Sequence, residues 1–398
     1  MPEFSCPTVK SLDQILPDEP LLMMGAGPVP ISHQVAYANS LVINHLGPVM
    51  AQVIEQVRVM SQYVFQTHSP YIFGVSGPGS ATMEMAVANL VEPGDRVLCV
   101  CNGYFSSRLA EMARRSGAQV YEHFSAERSF AALAEVEAAL EQFKPKILTM
   151  VQGETSNTVW NRDLADICKS ASARGCLVIV DAVCTLSTMP LKMDEWKVDA
   201  VITGGQKGLS SIPGVSLIAF SEKGFEAIRN RRTPLVHWCL DAKLAHGFWN
   251  ENKYHYTAPT SGVLAIHEAL RLVCIETLEK RFERHFLCSS ALQQGVRALG
   301  LELYVDEPSR LNSVMGIVVP PTVDGNVLRQ HMSHTHRVEI SGSFGLPIVR
   351  IGQMGEQSRE HHLFRTLHAL GSSLRTLGAS VDLATGMGEL ERALSTPR

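Results

Sequence analysis

The sequence predicts an α/β protein: a three-layer large domain with a mostly parallel sheet as its middle layer, followed by a smaller α+β C-terminal lobe. Three observations carry this. Short aliphatic runs alternate with helix-like segments from residue 71 to 220. Three of them crowd between Gly175 and Phe220: Cys176–Val180 ends in Asp181, Ala200–Thr203 leads into Gly204, Gly205, Gln206 and Lys207, and Val215–Phe220 follows. Runs this short and apolar throughout suit buried parallel strands. After Phe220 the sheet signal weakens and long helical spacing takes over.

The composition sets outer bounds. With 398 residues, 45% hydrophobic and 19% charged, the chain has room for a large core and a second lobe. A formal charge of −4 without blocks of like charge indicates no nucleic-acid surface. The nine cysteines form no CxxC, and Cys99, Cys101 and Cys176 sit inside apolar runs, as small buried hydrophobes do in a reducing compartment. His331, His334 and His336 have no carboxylate or cysteine cluster beside them and read as surface groups rather than metal ligands. No 18-residue apolar stretch and no basic-then-apolar start is present, so the expectation is a cytoplasmic protein without a membrane partner.

In chain order, residues 1–20, with Pro7, Pro17 and Pro20, read as an arm, residues 21–265 as the large domain and residues 266–398 as the small one, joined by a helix over about 266–299. The run Leu21–Met24 stops at Gly25-Ala26-Gly27-Pro28, a turn that either approaches a ligand or only turns a corner. Val49, Val53, Val57, Met60 and Val64 mark a helix over 49–67. A strand, Tyr71–Val75, opens into Ser76-Gly77-Pro78-Gly79-Ser80-Ala81, and the helix starting near Ser80 stops at Pro93-Gly94-Asp95. Its first turn offers unpaired N–H groups and the positive end of the helix dipole, a seat for a phosphate. The glycine pattern is neither GxGxxG nor GxxxxGK, so a nucleotide is not indicated. The strand Arg96–Cys101 ends in Asn102-Gly103-Tyr104-Phe105, where Phe105 by itself reads as core. A helix and strand over 107–125, the helix Phe130–Phe143 and the strand Ile147–Val151 follow, then Gln152–Thr158, whose hydroxyls, Thr155 and Ser156 among them, are common turn formers. The helix Arg162–Ala173 returns the chain to Asp181. Further on, residues 230–250 read as loops, Lys253–Pro259 precedes the helix Gly262–Leu272, and the small lobe has apolar runs at Leu301–Val305 and Ser313–Val319. Helices near 324–332 and 356–376, Val349–Gly352 between strands and a polar tail from Gly378 complete it.

Two residue types at strand ends suggest chemistry. A lysine amine such as Lys207 forms a Schiff base with an aldehyde and moves protons, and a carboxylate such as Asp181 keeps a pyridine nitrogen protonated. Singly, Lys207 also reads as a surface lysine and Asp181 as a helix cap. Five ordered segments, the strongest elements of a pattern that covers roughly residues 20–376, weigh against that: Ser76-Gly77-x-Gly79 through Glu84, Asp181-Ala182-Val183, Gly205-Gln206-Lys207 with Pro213-Gly214, Tyr254-x-x-Thr257, and Arg350-Ile351-Gly352. In these the chain resembles the class V aminotransferases, pyridoxal 5'-phosphate enzymes of fold type I, and is nearest to the alanine–glyoxylate, serine–glyoxylate and serine–pyruvate enzymes.

The resemblance implies Lys207 and Asp181 as the catalytic pair, with Gly79, Ser80, Ala81 and Gln206 at the cofactor phosphate. It implies Phe105 and Val183 on the two ring faces, and Thr155 and Ser156 as hydrogen-bond donors around ring and phosphate. Tyr254 and Thr257 would reach the phosphate of the opposite subunit in a homodimer. Arg350 would clamp the substrate carboxylate with its planar fork, while Ala26, Gly27 and His45 line the approach. The implied reaction moves an amino group from alanine, serine or a similar amino acid to a 2-oxo acid such as glyoxylate or pyruvate in two half-reactions; a pyridoxal-phosphate lyase acting on a small amino acid is the alternative. Three departures from the family pattern, Pro78, Leu46 after His45, and the loop Gly208–Pro213 without its double proline, fall on the approach to the pocket.

Overall fold

The computed structural model describes residues 6–395. The chain enters through β1 (Leu22–Met23), α1 (His33–Asn39) and α2 (Pro48–Phe65). It alternates through β2 (Ile72–Ser76), α3 (Gly79–Leu90), β3 (Arg96–Cys101), α4 (Tyr104–Arg115), β4 (Gln119–Phe124), α5 (Leu133–Phe143) and β5 (Ile147–Val151). The hairpin β6 (Gly153–Glu154) and β7 (Val159–Trp160), α6 (Leu164–Ala173), β8 (Leu177–Asp181), β9 (Ala200–Ile202) and β10 (Val215–Phe220) follow. Next come α7 (Glu222–Arg229), α8 (Ala242–Glu251), α9 (Thr260–Glu276) and α10 (Leu278–Ala298). The C-terminal part contains β11 (Val314–Val318), α11 (Gly325–His336), β12 (Val338–Glu339), β13 (Ser341–Gly342), β14 (Ile348–Gly352), α12 (Glu360–Thr376) and α13 (Leu383–Ser395).

Seven strands form the main sheet in the order β2-β10-β9-β8-β5-β3-β4. The pairs from β4 to β9 are parallel, whereas β10 runs antiparallel to both β9 and β2. The expectation of a parallel strand at Val215–Phe220 is therefore corrected. Residues 203–214 contain no helix to carry the chain back over the sheet, and a parallel pairing needs such a crossover. The β8–β9 register sets Asp181 beside Ile202, so Asp181 and the segment leading to Lys207 leave the sheet at one edge.

Two large apolar clusters hold the chain. One joins the sheet to α2, α3, α4, α5, α6 and α9. The other is built from α10, α11, α12 and α13 around β11 and β14, with Leu22 and Met24 contributed by the N-terminal segment, which β1 ties to β12 in parallel.

Several readings of the sequence change. Residues 230–250 include α8, whose Asp241 cap accepts from the Lys243 and Leu244 N–H groups at 2.8 and 3.2 Å and whose Phe248 and Trp249 are buried. Val349–Gly352 lies within β14, the middle of a three-stranded antiparallel sheet, not between strands. Leu301–Val305 forms only an isolated bridge, Leu303 to Ile317. The tail after Gly378 contains α13. The helical stretch over 263–299 is broken at Thr277, φ 68°, into α9 and α10. Among the described residues no helix is long and apolar enough to cross a membrane.

Candidate active site

At the edge where Asp181 leaves β8, a cavity of about 150 Å³ opens. Gly79 and Ser80 of α3, Phe105 and Arg108 of α4, Gly153 and Thr155 of the β6–β7 hairpin, Asp181, Val183 and Cys184 after β8, and Gln206 and Lys207 after β9 line it. Five connections thus converge on one edge because strands running in the same direction all end there, the usual ligand edge of an open α/β sheet.

Pro78 caps α3, and the Ala81 N–H folds back to the Pro78 carbonyl at 2.8 Å. The N–H groups of Gly79 and Ser80 are left at the open end of the helix. Gly79 is needed for closeness: a Cβ there would lie 2.8 Å from Val183 Cγ2. The Gln206 side chain is nine-tenths buried, and its Oε1 has no hydrogen-bond partner.

The fully buried Asp181 carboxyl accepts the Val183 N–H at 2.8 Å. Burial, which outweighs that bond, pushes its pKa up to about 7; the Glu154 charge adds to the rise, and Lys207 and Arg108 oppose it. Burial likewise lowers the pKa of the Lys207 ammonium, with Arg350 adding to the effect. Lys207 Nζ donates to the Ala26 carbonyl. Gly27, at φ 98°, passes so close that a Cβ would stand 2.6 Å from Nζ.

Buried Glu154 holds the start of α4. Its carboxylate accepts from the Phe105 and Ser106 N–H groups at 3.0 and 2.9 Å, and from the Ser156 N–H and Oγ–H at 3.1 and 2.6 Å. A carboxylate at a helix N-terminus is favoured by the dipole, and here it fixes where Phe105 sits. Arg108 Nη1 donates to Ser80 Oγ at 2.9 Å. Arg350, on β14, donates through Nε to the Gly342 carbonyl at 2.7 Å and through Nη1 to the Thr155 carbonyl, and burial pushes its pKa down to about 10.

The structure thus brings Gly79, Ser80, Phe105, Thr155, Asp181, Val183, Gln206 and Lys207 into one cavity, with Ala26 and Gly27 against the lysine. It does not bring in the others. The Ala81 N–H is turned to Pro78, the Ser156 hydroxyl is turned to Glu154 and the Tyr104 N–H, and Arg350 stands behind Thr155. His45, Tyr254 and Thr257 are outside the cavity, Tyr254 and Thr257 exposed and the rings of His45 and Tyr254 6.0 Å apart. Arg108, Glu154 and Cys184 were missed by the sequence reading. Arg108 follows Phe105 by one helical turn, which was the available signal.

An open helix end beside an orphaned, buried amide suits a phosphate, and a cavity lined by Phe105 and Val183 with a buried carboxyl and a lysine amine suits an aldehyde-bearing heteroaromatic ring. The lining therefore fits pyridoxal 5'-phosphate. The model of the family "Aminotransferase class-V" matches residues 31–343. An alanine–glyoxylate aminotransferase of Oryctolagus cuniculus is 33% identical over 365 residues, 89% of this chain and 92% of that protein. Among solved structures, the ureidoglycine–glyoxylate aminotransferase of Bacillus subtilis superposes with a TM-score of 0.93 at 30% identity, covering 96% of this chain and all of that one. An alanine–glyoxylate aminotransferase of Nostoc sp. gives 0.87 at 34% identity over 92% of this chain and all of that one. The chain belongs to the class V aminotransferase family and is a pyridoxal-phosphate-dependent enzyme of fold type I.

Proposed function

We propose that the enzyme transfers the amino group of alanine, serine or a similarly small amino acid to glyoxylate or pyruvate, with Lys207 and Asp181 as its catalytic residues. The observation that carries this is the presence of a lysine amine and a buried carboxyl in one cavity whose wall includes an open helix N-terminus. Similarity to glyoxylate-using transaminases supports the choice of acceptor.

When bound, the cofactor supplies the carbonyl carbon that takes up the amino group and a ring that draws electrons from the substrate α-carbon. Lys207, its ammonium destabilised by burial, would be the group that takes the substrate α-proton and hands it back to complete the exchange. Asp181, whose negative charge burial penalises, would regain it as a carboxylate paired with the ring nitrogen and so keep the proton there. Gly79, Ser80 and Gln206 would hold the phosphate, Phe105 and Val183 would flank the ring, and Thr155 would offer it a hydrogen bond. In this reading Ala81 and Ser156 act from behind the wall, through the α3 turn and Glu154. Arg350 receives the substrate carboxylate once its fork turns from the backbone carbonyls it now serves, with Ala26, Gly27 and His45 along the approach.

The protein is further proposed to be a homodimer in which Tyr254 and Thr257 reach the partner's phosphate; both are exposed and away from their own cavity. The same reading divides the chain into an arm to residue 20, a cofactor domain over 21–265 and a small domain over 266–398, with Leu22 and Met24 lent to the second core. Nine free cysteines accord with a cytoplasmic location.

The test is an absorbance spectrum of the holoenzyme during addition of single amino acids, followed by glyoxylate or pyruvate. Transamination converts the lysine-linked band to that of the cofactor's amino form, and the oxo acid reverses it. A persistent band with accumulating pyruvate and ammonia means a lyase. Borohydride reduction should fix a cofactor mass on Lys207, and an equal adduct in Lys207→Ala would remove the assignment.

A further inference from the structure

Three charged side chains line the cavity: Asp181, Lys207 and Arg108. The proposed reaction engages the first two at the ring nitrogen and the amino group. A phosphate monoester carries roughly 1.5 to 2 negative charges near pH 7. Against it stand a helix end equivalent to about half a positive charge and the uncharged donors Ser80, Gln206, Tyr254 and Thr257. A buried anion so poorly balanced is costly to hold.

We infer that Arg108 is the counter-cation of the cofactor phosphate. The inference rests on the cofactor site proposed above and deepens it. Three observations converge on Arg108. Its Nη1 bond to Ser80 Oγ, at 2.9 Å, sets the guanidinium at the first turn of α3, where the Gly79 and Ser80 N–H groups also point out of the helix. Its Cζ lies 4.9 Å from the centre of the Phe105 ring and 5.1 Å from that of Tyr104, so two aromatic faces hold the long side chain in place. Among the described residues no carboxylate forms an ion pair with it, whereas arginines such as Arg58 and Arg281 are so paired, so its charge is not already matched. A planar fork with one N–H given to Ser80 has others left for phosphate oxygens. Arg108 is then a binding residue that spans the two ends of the cofactor, touching the phosphate seat on one side and the stacking ring Phe105 on the other.

The competing role is purely mechanical, with Arg108 bracing Phe105 and never meeting the phosphate. Two ligands separate these roles. Cofactor-depleted wild type, Arg108→Gln and Arg108→Lys are titrated with pyridoxal 5'-phosphate and, separately, with pyridoxal, followed by absorbance. A lost hydrogen bond to a charged group predicts that Arg108→Gln weakens pyridoxal-phosphate binding by about tenfold to a hundredfold. Pyridoxal binding should stay within about twofold, and Arg108→Lys should recover much of the loss. Equal weakening toward both ligands, or toward neither, overturns the inference. Should Arg108→Gln fail to fold, the phosphorus resonance of the bound cofactor in wild type and Arg108→Lys decides. A counter-cation keeps the wild-type phosphate fully ionised, its shift flat from pH 6 to 8, whereas a shift that titrates like the free cofactor's overturns the assignment. Wild type that takes up neither ligand overturns the cofactor reading and this inference with it; binding of pyridoxal phosphate with unaffected Arg108 variants overturns the inference alone.

Discussion

Asp181 shows burial and chemistry working against each other. In the cofactor-free protein its carboxyl has a pKa near 7, above the ordinary 3.8, chiefly because burial penalises the charged form. A folded-state value raised in this way gives stability that is complete below the unfolded value and disappears as the pH rises through about 7. Asp181→Asn, whose side-chain oxygen still accepts the Val183 N–H, should therefore raise the melting temperature of cofactor-free protein at pH 8.5. The gain should shrink toward pH 5, and transamination should fall by orders of magnitude. Calorimetry at both pH values checks this; a gap that does not depend on pH would mean the carboxyl is already ionised without strain. Glu154 has a structural task. Buried as well, its carboxyl accepts from backbone and hydroxyl donors and aims α4 at the cavity.

At the scale of elements, α13 is the main addition to what the sequence suggested. Gly386 and Gly388 lower its intrinsic helicity, so the segment reads as a tail. Packing supplies the reason for Gly386, while a Cβ on Gly388 would meet open space. A Cβ on Gly386 would come 2.5 Å from Leu299 Cδ2 and 3.1 Å from the Gly295 carbonyl, so the α10–α13 crossing depends on close backbone approach. Leu390 is fully buried in the same contact. Leu390→Ala should destabilise the C-terminal lobe by about 2–5 kcal/mol, the usual cost of a leucine-sized cavity. The effect should appear as a lower urea midpoint with little change in pyridoxal-phosphate affinity, since α13 lies in the second core. An unchanged midpoint would mean that α13 is undocked in solution.

On the whole molecule, the exposed apolar residues Leu41, Val42, Leu46, Val236, Trp238 and Tyr254 belong to neighbouring segments. Ser261 Oγ donates to the Leu41 carbonyl at 2.7 Å, Trp238 Nε1 donates to the His255 carbonyl at 3.2 Å, and His45 lies edge-on to Tyr254. An apolar surface of this kind fits the subunit contact proposed for the dimer. Introducing Val42→Glu with Leu46→Glu should shift the protein toward monomer in sedimentation and loosen its hold on the cofactor, because Tyr254 and Thr257 would no longer reach the neighbouring phosphate. A double variant that sediments as wild type places the contact elsewhere. The strands Arg96–Cys101, Ile147–Val151 and Val215–Phe220 were legible residue for residue, Leu177–Asp181 to within one residue, and so were the strand-end positions of Asp181 and Lys207 and the glycine turn at Gly79, because strand burial and turn chemistry are local properties that composition and spacing record. The direction of β10, the docking of α13 and the arrival of Arg108 and Glu154 at the cavity were decided only by tertiary structure. Each depends on which distant segments meet: a doubly buried strand is equally apolar in either direction, and an arginine one turn into a helix becomes a site residue only when another helix ends beside it.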